Sequence, residues 1–522
     1  MNEENGLPRG WAWTRVGEIY NIVGGGTPST DIEEYWNGDI AWVTSADIYG
    51  LKDIRPRKRI TKTAIENSAT NLVPEDSLIV VTRVGLGKVA LTKKPLCFSQ
   101  DSQALIGVSS SIYPDYSLYF LSQSVQVFKY QNRGTTIAGV TKKQLSELPF
   151  ALPPLSEQQR IVATIEQQFS RLDAGIAALR RAQAKLKRYR AAVLKAAVEG
   201  KLTEAWRDEH PTTEPASKLL ERILVERRAK WEADLKAKGK DPAKVRYVEP
   251  AKPDVESLPE LPEGWCWATI GQLTWSVKDG PHYSPEYISE GIPFITGGNV
   301  RPSSVDFTNA RYITPELHAK LSRRCKPEKG DILYTKGGTT GIACVNTYDT
   351  EFSVWVHVAV LKLSGPIEPF YVQHALNSPS CYTQAQLFTH GVGNQDLGLT
   401  RMVRIVLSLP PLAEQEQIVA EIERRLSVID HLETIIEANL KRAERLRQSI
   451  LKEAFAGHLV PQDPDDESAA VLLERIRGER EKRKHGVLDK GREVICEVAK
   501  PKKIDVMETR QVELWESGSS GE

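Results

Sequence analysis

Apolar residues recur at three- and four-residue intervals over two long stretches of this chain. From Val162 the spacing meets Val162, Ile165, Phe169, Leu172, Ile176, Leu179, Gln183, Leu186, Arg190, Val193 and Ala197, nine of the eleven apolar. From Val419 it meets Val419, Ile422, Leu426, Ile429, Glu433, Ile436, Leu440, Ala443, Arg447, Ile450 and Ala454, again nine of eleven. So narrow a heptad-spaced stripe predicts a helix packed along another helix rather than on a sheet. Ile165, Leu172, Leu179, Leu186, Ile422, Ile429, Ile436 and Ile450 are the expected seam. Each helix is announced by a Pro-Pro pair, then Ser156 or Ala413, then Glu and Gln, and Gly200 and Gly457 mark the stops. Residues 155–199 as one helix would form a rod of roughly 65 Å. Alone it could not bury its seam, so the two helices are expected to pair as an antiparallel coiled coil with one globular domain at each end. Arg190 and Arg447 fall at the same seam position, as a polar register device or as the place where the seam frays.

Ahead of each helix the pattern shortens. Residues 76–83 (DSLIVVTR), 330–336 (GDILYTK) and 353–361 (SVWVHVAVL) read as strands, and residues 115–128 as an amphipathic helix. These are mixed α/β domains, and they are copies. LPRGWAW at Leu7 returns as LPEGWCW at Leu261, GDIAWVTSADI at Gly38 is echoed by GIPFITGGNV at Gly291, and LPPLSEQQRIV at Leu152 returns as LPPLAEQEQIV at Leu409. LLERI occurs at Leu219 and again at Leu472. The fold class is therefore mixed α/β, a pseudo-twofold tandem duplication. Its expected parts are a first domain (1–151), a first long helix (152–201), a charged helical connector (202–260), a second domain (261–408), a second long helix (409–459) and a C-terminal helix with a polar tail (460–522).

Composition adds mostly exclusions. The 522 residues carry 69 Lys+Arg against 68 Asp+Glu, with 40% hydrophobic residues, an ordinary globular balance. No apolar run of about 18 residues suggests a membrane span, the polar N-terminus does not read as a signal peptide, and six cysteines without a C-x-x-C pair suit a reducing cytoplasm. No catalytic motif appears. Gly87-Lys88, Gly200-Lys201 and Gly239-Lys240 all lack the Ser or Thr of a phosphate loop, and the Gly85-Leu86-Gly87 and Gly24-Gly25-Gly26 runs read as turns. The Pro-Pro sites are LPPL, without the polar and aromatic flanks of an amino-methyltransferase, and Glu199-x-Lys201 and Asp234-x-Lys236 lack the upstream Pro-Asp of a nuclease. The histidines show no zinc spacing. Basic clusters at Lys52–Lys62 and along Arg180–Lys195 are either solvated faces or phosphate contacts.

With L-P-x-G-W opening two domains, and P-L-x-E-Q-x-x-I-V opening two helices, the chain resembles the specificity subunit of Type I restriction-modification systems over about residues 7–480. G-D-I-L-Y-T-K-G-G at Gly330–Gly338 is similar to a phrase of that family's recognition domains, with Ser77–Gly85 as a looser counterpart. The resemblance implies a non-catalytic subunit that reads a bipartite, asymmetric double-stranded DNA target, one domain per half-site. It implies helices that dock two methyltransferase subunits, motor-nuclease restriction subunits as further partners, and no cofactor here: S-adenosylmethionine, ATP and magnesium would belong to the partners. The alternative is a duplicated carbohydrate-binding or scaffold protein with Trp11, Trp13, Trp265 and Trp267 as stacking platforms.

Polar residues after strand ends are the candidate DNA contacts, since Arg or Lys can grip guanine and Asn or Gln adenine. In the first domain these are Thr82, Arg83 and Lys88, then Arg133, Thr135 and Thr136. In the second they are Asn299, Thr335, Lys336 and Thr339, then Asn394 and Gln395. Each reads equally as a surface or turn residue.

Overall fold

The computed structural model describes residues 6–128, 139–391 and 395–486, the last with side chains to 481. The chain forms two compact units. One comprises Met1–Ile176 with Lys441–Glu522, the other Ala177–Leu440. The long helices run Leu155–Val198 and Leu412–Phe455, 44 residues each, so each unit contains a half of both.

In the first unit, strand Ala12–Arg15 pairs antiparallel with Pro149–Leu152, joining the two ends of the globular domain beside the helix start. One four-stranded sheet has the order Lys58–Ile60, Trp36–Val43, Leu96–Phe98, Leu72–Val73. A second has the order Tyr20–Gly24, Ser102–Gly107, Leu78–Val81, Val89–Leu91. The second unit repeats this plan: Cys266–Thr269 pairs with Val406–Leu409, and Thr274–Asp279, Val358–Leu363, Ile332–Thr335 and Ala343–Val345 form the four-stranded sheet. The expected strand at 353–361 is two pieces, Ser353–Val354 and Val358–Leu363, each in a different sheet. The turn between them carries Trp355 and His357.

The copies are in register by their turns. Asp76 and Gly330 both adopt positive φ, and Leu78 faces Leu91 as Ile332 faces Val345. This register places Ser77 opposite Asp331, Thr82 opposite Lys336 and Arg83 opposite Gly337. It is one residue away from the alignment that the G-D-I-L-Y-T-K-G-G phrase suggests, because a turn fixes strand register more firmly than a shared Thr.

The repeated phrases interlock. Glu414, from the second P-L-x-E-Q, is 1% exposed and accepts hydrogen bonds from the Trp265 indole at 2.8 Å, Thr203 Oγ1 at 2.8 Å and the Arg207 guanidinium. Gln415 donates to Pro410 O at 2.9 Å and accepts from Glu368 N, the cap of helix Pro369–Leu376, at 3.0 Å. Gln158 does the same in the first unit, donating to Pro153 O and accepting from Tyr113 N, the cap of helix Pro114–Ser124. The motif is thus a clamp that seats a globular domain on its own helix start. Glu157 is also buried, and burial raises its pKa above the usual carboxylate value.

Within each unit the two long-helix segments run antiparallel. In the first, Arg160 meets Asp466 at 2.7 Å beyond the second helix, while Arg447 pairs with Asp173 and lies 4.3 Å from the Phe169 ring centroid. In the second, Arg190 pairs with Asp430 and, at 3.2 Å, with Glu433. Both seam arginines therefore reach the opposite helix through equivalent aspartates. Exposed pairs of this kind contribute under about 1 kcal/mol. Ile165, Ile422, Ile429, Ile436 and Ile450 are buried, and Leu172, Leu179 and Leu186 half-buried.

Each unit also recruits a segment following the other copy's helix. Helix Ala216–Ala237 docks on the second domain through Leu219 and Ile223, with Ala216 N on Gly264 O at 2.7 Å. Helix Ala469–Gly486 docks on the first through Leu473 and Ile476, with Ala469 N on Gly10 O at 2.8 Å. The LLERI repeat is the buried face of these two helices. The helix-ending Gly457 has positive φ, and any side chain there would collide with Pro8 of L-P-x-G-W.

Candidate nucleic-acid interface

In the second unit the segment after strand Ile332–Thr335 rises against two others, the turn Thr296–Asn299 and the break Trp355–His357. Together they enclose an open cleft of about 540 Å³, also lined by Tyr287, Arg311 and Thr339. Gly297, Gly298, Gly337 and Gly338 line it as well, of which Gly298 and Gly338 are exposed. A side chain at Gly337 would collide with the His357 ring. The turn is held by Asn299, whose Oδ1 accepts from Thr296 N and Oγ1 at 2.9 and 2.7 Å while its Nδ2 donates to Asp306 O at 3.0 Å.

Lys336 lies beneath, 3% exposed, donating to Asp396 Oδ1 at 2.7 Å and Val356 O at 3.2 Å, with Asp279 at 3.4 Å. Its charge is already matched by two carboxylates. Burial, then the nearby Lys336 charge, holds the His357 pKa below the ordinary histidine value. A neutral imidazole at pH 7 can both donate and accept a hydrogen bond. Thr335 is fully buried and accepts from Ile342 N at 2.9 Å. Thr339 is exposed at the cleft, Gln395 is exposed, and Asn394 lies outside the described residues.

The same corner of the first unit has the opposite relief. Arg83 and Val84 are exposed, Val84 to 69%, where the second unit has Gly337 and Gly338. Thr82 is buried and donates to Asp101 O at 3.2 Å. Lys88 binds Ser45 O at 2.8 Å and Ile48 O at 3.0 Å, so its ammonium fastens the 45–48 turn beneath the loop. That turn carries the equivalent cap, Thr44 with Asp47, and Asp47 pairs with Arg57. Arg133, Thr135 and Thr136 lie outside the described residues.

Of the candidates, Arg83, Lys88, Thr339 and Gln395 are exposed, Lys88 with its ammonium turned onto the 45–48 turn, whereas Thr82, Asn299, Thr335 and Lys336 are buried. Sequence reasoning missed Tyr287, Arg311, Trp355 and His357. A break in an otherwise strand-like run at Trp355–His357 was the one available signal. Trp11 and Trp265 are buried in the domain cores, which removes them as stacking platforms. Among the described residues no group of His, Cys, Asp and Glu could hold a metal ion, and no helix is long and apolar enough to cross a membrane.

Residues 8–185 and 268–442 match the family model described as the Type I restriction modification DNA specificity domain. The chain is 25% identical to the Type I restriction enzyme EcoKI specificity subunit of Escherichia coli, over 91% of this chain and 96% of that one. It is 27% identical to the EcoBI specificity subunit of Escherichia coli over 66% and 67%, and 25% identical to the MjaIX specificity subunit of Methanocaldococcus jannaschii over 71% and 76%. A solved chain, from work on complex assembly and conformational transition of the type I R-M system, has the same fold, with TM-score 0.60 at 18% identity over 87% of this chain and 99% of that one. The repeated domain-plus-helix plan and the matched span of both copies together show that this chain belongs to the Type I restriction-modification DNA specificity family.

Proposed function

We propose that this chain selects the DNA sequence for a Type I restriction-modification enzyme without catalysing a reaction itself, each globular domain reading one half of a bipartite, asymmetric target. The observation that carries this reading is the repeated corner with divergent relief: the same strand, turn and cap present Arg83 and Val84 in one copy and a glycine-lined cleft with His357 in the other. Two equivalent scaffolds with different surfaces suit two different half-sites. The second long helix exposes Val428, Leu432 and Ile435 at i, i+4 and i+7, each at least 40% exposed. An apolar stripe of this kind suits a protein partner, and methyltransferase subunits are the partners proposed. S-adenosylmethionine would then be bound there, with ATP and magnesium used by restriction subunits, and the assembly would work in the cytoplasm.

Arg83→Ala tests the reading. Methylome sequencing of cells expressing the variant with its methyltransferase is expected to show relaxed preference at one position of one half-site, a discrimination of about 1–3 kcal/mol. The other half-site and the spacer stay unchanged. Relaxation in both halves at once would contradict one domain per half-site.

A further inference from the structure

Beside the divergent surface, one device is the same in both copies. Lys58 stands directly across the strand pair from Trp42, with its ammonium 5.0 Å from the ring centroid of Trp36. Arg311 stands across from Phe294, with its guanidinium 4.5 Å from the ring centroid of Tyr287. Each outer ring rests on the inner one, Trp36 on Trp42 at 5.2 Å and Tyr287 on Phe294 at 6.0 Å. The indoles are fixed further, Trp36 by Ser29 O and Trp42 by Gly26 O, both at 3.0 Å. Both cations are exposed, and neither pairs with a carboxylate among the described residues. The arginines close to Lys58 in sequence do pair: Arg57 with Asp47 and Arg55 with Asp53. Arg311 lines the 540 Å³ cleft, and Lys58 adjoins Arg57, which is tied to the 45–47 turn.

We propose that Lys58 and Arg311 are equivalent phosphate-contacting residues, one in each domain, which set each domain's register on the DNA backbone and leave base choice to the surface beside them. The proposal rests on the DNA-reading function above. Its logic is that what the copies share cannot distinguish two different half-sites, whereas every duplex offers phosphates at the same spacing. A cation over an aromatic ring is held in place with its donors free, so little side-chain entropy is lost on contact. What differs between the copies, Arg83 and Val84 against Gly337 and Gly338, is the part able to discriminate.

The test uses the full chain purified with its methyltransferase subunits. Binding is measured on a duplex carrying the motif found by methylome sequencing, and on one with both half-sites scrambled, over a range of salt. Arg311→Ala and Lys58→Ala are each expected to weaken binding several-fold on both duplexes and to lower the slope of log affinity against log salt by about one. The methylated motif stays unchanged, the double variant loses about two units of slope, and Arg311→Lys retains most of the slope. A changed base in the motif would make these residues base readers and overturn the proposal while leaving the function standing. Unchanged affinity and slope would also overturn it, leaving the cations as guards of two edge strands. If the unsubstituted complex showed no preference for the motif duplex, the DNA-reading function itself would fall, and the proposal with it.

Discussion

Replacing Glu414 with alanine is expected to destabilise the second unit by about 3–5 kcal/mol, the range for removing one partner of a buried ion pair. Its carboxylate is 1% exposed and accepts from Trp265, Thr203 and Arg207 at once. Alanine would leave the Arg207 guanidinium, its side chain only 20% exposed, without its carboxylate, and would orphan the buried indole donor of Trp265. Thermal unfolding should show the transition of the second unit lowered while the first unit's transition stays in place. Thr203→Ala, which removes one donor and no charge, should cost about 1 kcal/mol. If Glu414→Ala and Thr203→Ala lowered stability equally, the carboxylate would not be the centre of the clamp.

The second large effect concerns the spacer. Removing seven residues from the middle of each long helix keeps the heptad register of the seam and shortens each helix by about 10 Å. At about 3.4 Å per base pair, the methylated motif should lose about three base pairs from its non-specific spacer, with both half-sites unchanged. Helices of 44 residues supply the length for such a ruler, since readers on one DNA face sit about one helical turn apart. Altered half-sites at constant spacing would show that helix length does not set the distance.

The long helices were legible in the sequence because one physical demand, burying a narrow apolar stripe, dictates their period over many turns. The starts at Leu155 and Leu412 and the stop glycines follow from local chemistry. The P-L-x-E-Q phrase was legible as a helix start but not as a clamp, because the partners of Glu414 lie far away in sequence, at Thr203, Arg207 and Trp265. The candidate contacts were harder for a related reason. Thr335, Lys336 and Asn299 carry the right functional groups, but a strand end does not reveal which way a side chain turns. All three spend their polar atoms within the domain, Asn299 on the cap at Thr296, Thr335 on the backbone of Ile342 and Lys336 on carboxylates. Arg311 and Lys58 gain meaning only from strands that bring them opposite Phe294 and Trp42. Lys58 was legible as part of a basic cluster, and Arg311 not at all. The one-residue change in the register of Arg83 against Gly337 likewise needed the turns at Asp76 and Gly330.

The most direct measurement is methylome sequencing of a cell expressing this chain with the proposed methyltransferase partner, compared with the same cell carrying residues 266–409 exchanged for the equivalent domain of a relative. Strands Cys266–Thr269 and Val406–Leu409 pair with each other, so the exchange keeps both partners of the strand pair that joins the domain's ends. The account predicts a bipartite adenine-methylation motif in which the exchange alters one half and preserves the other half and the spacer. A single continuous motif, or a change in both halves, would contradict it.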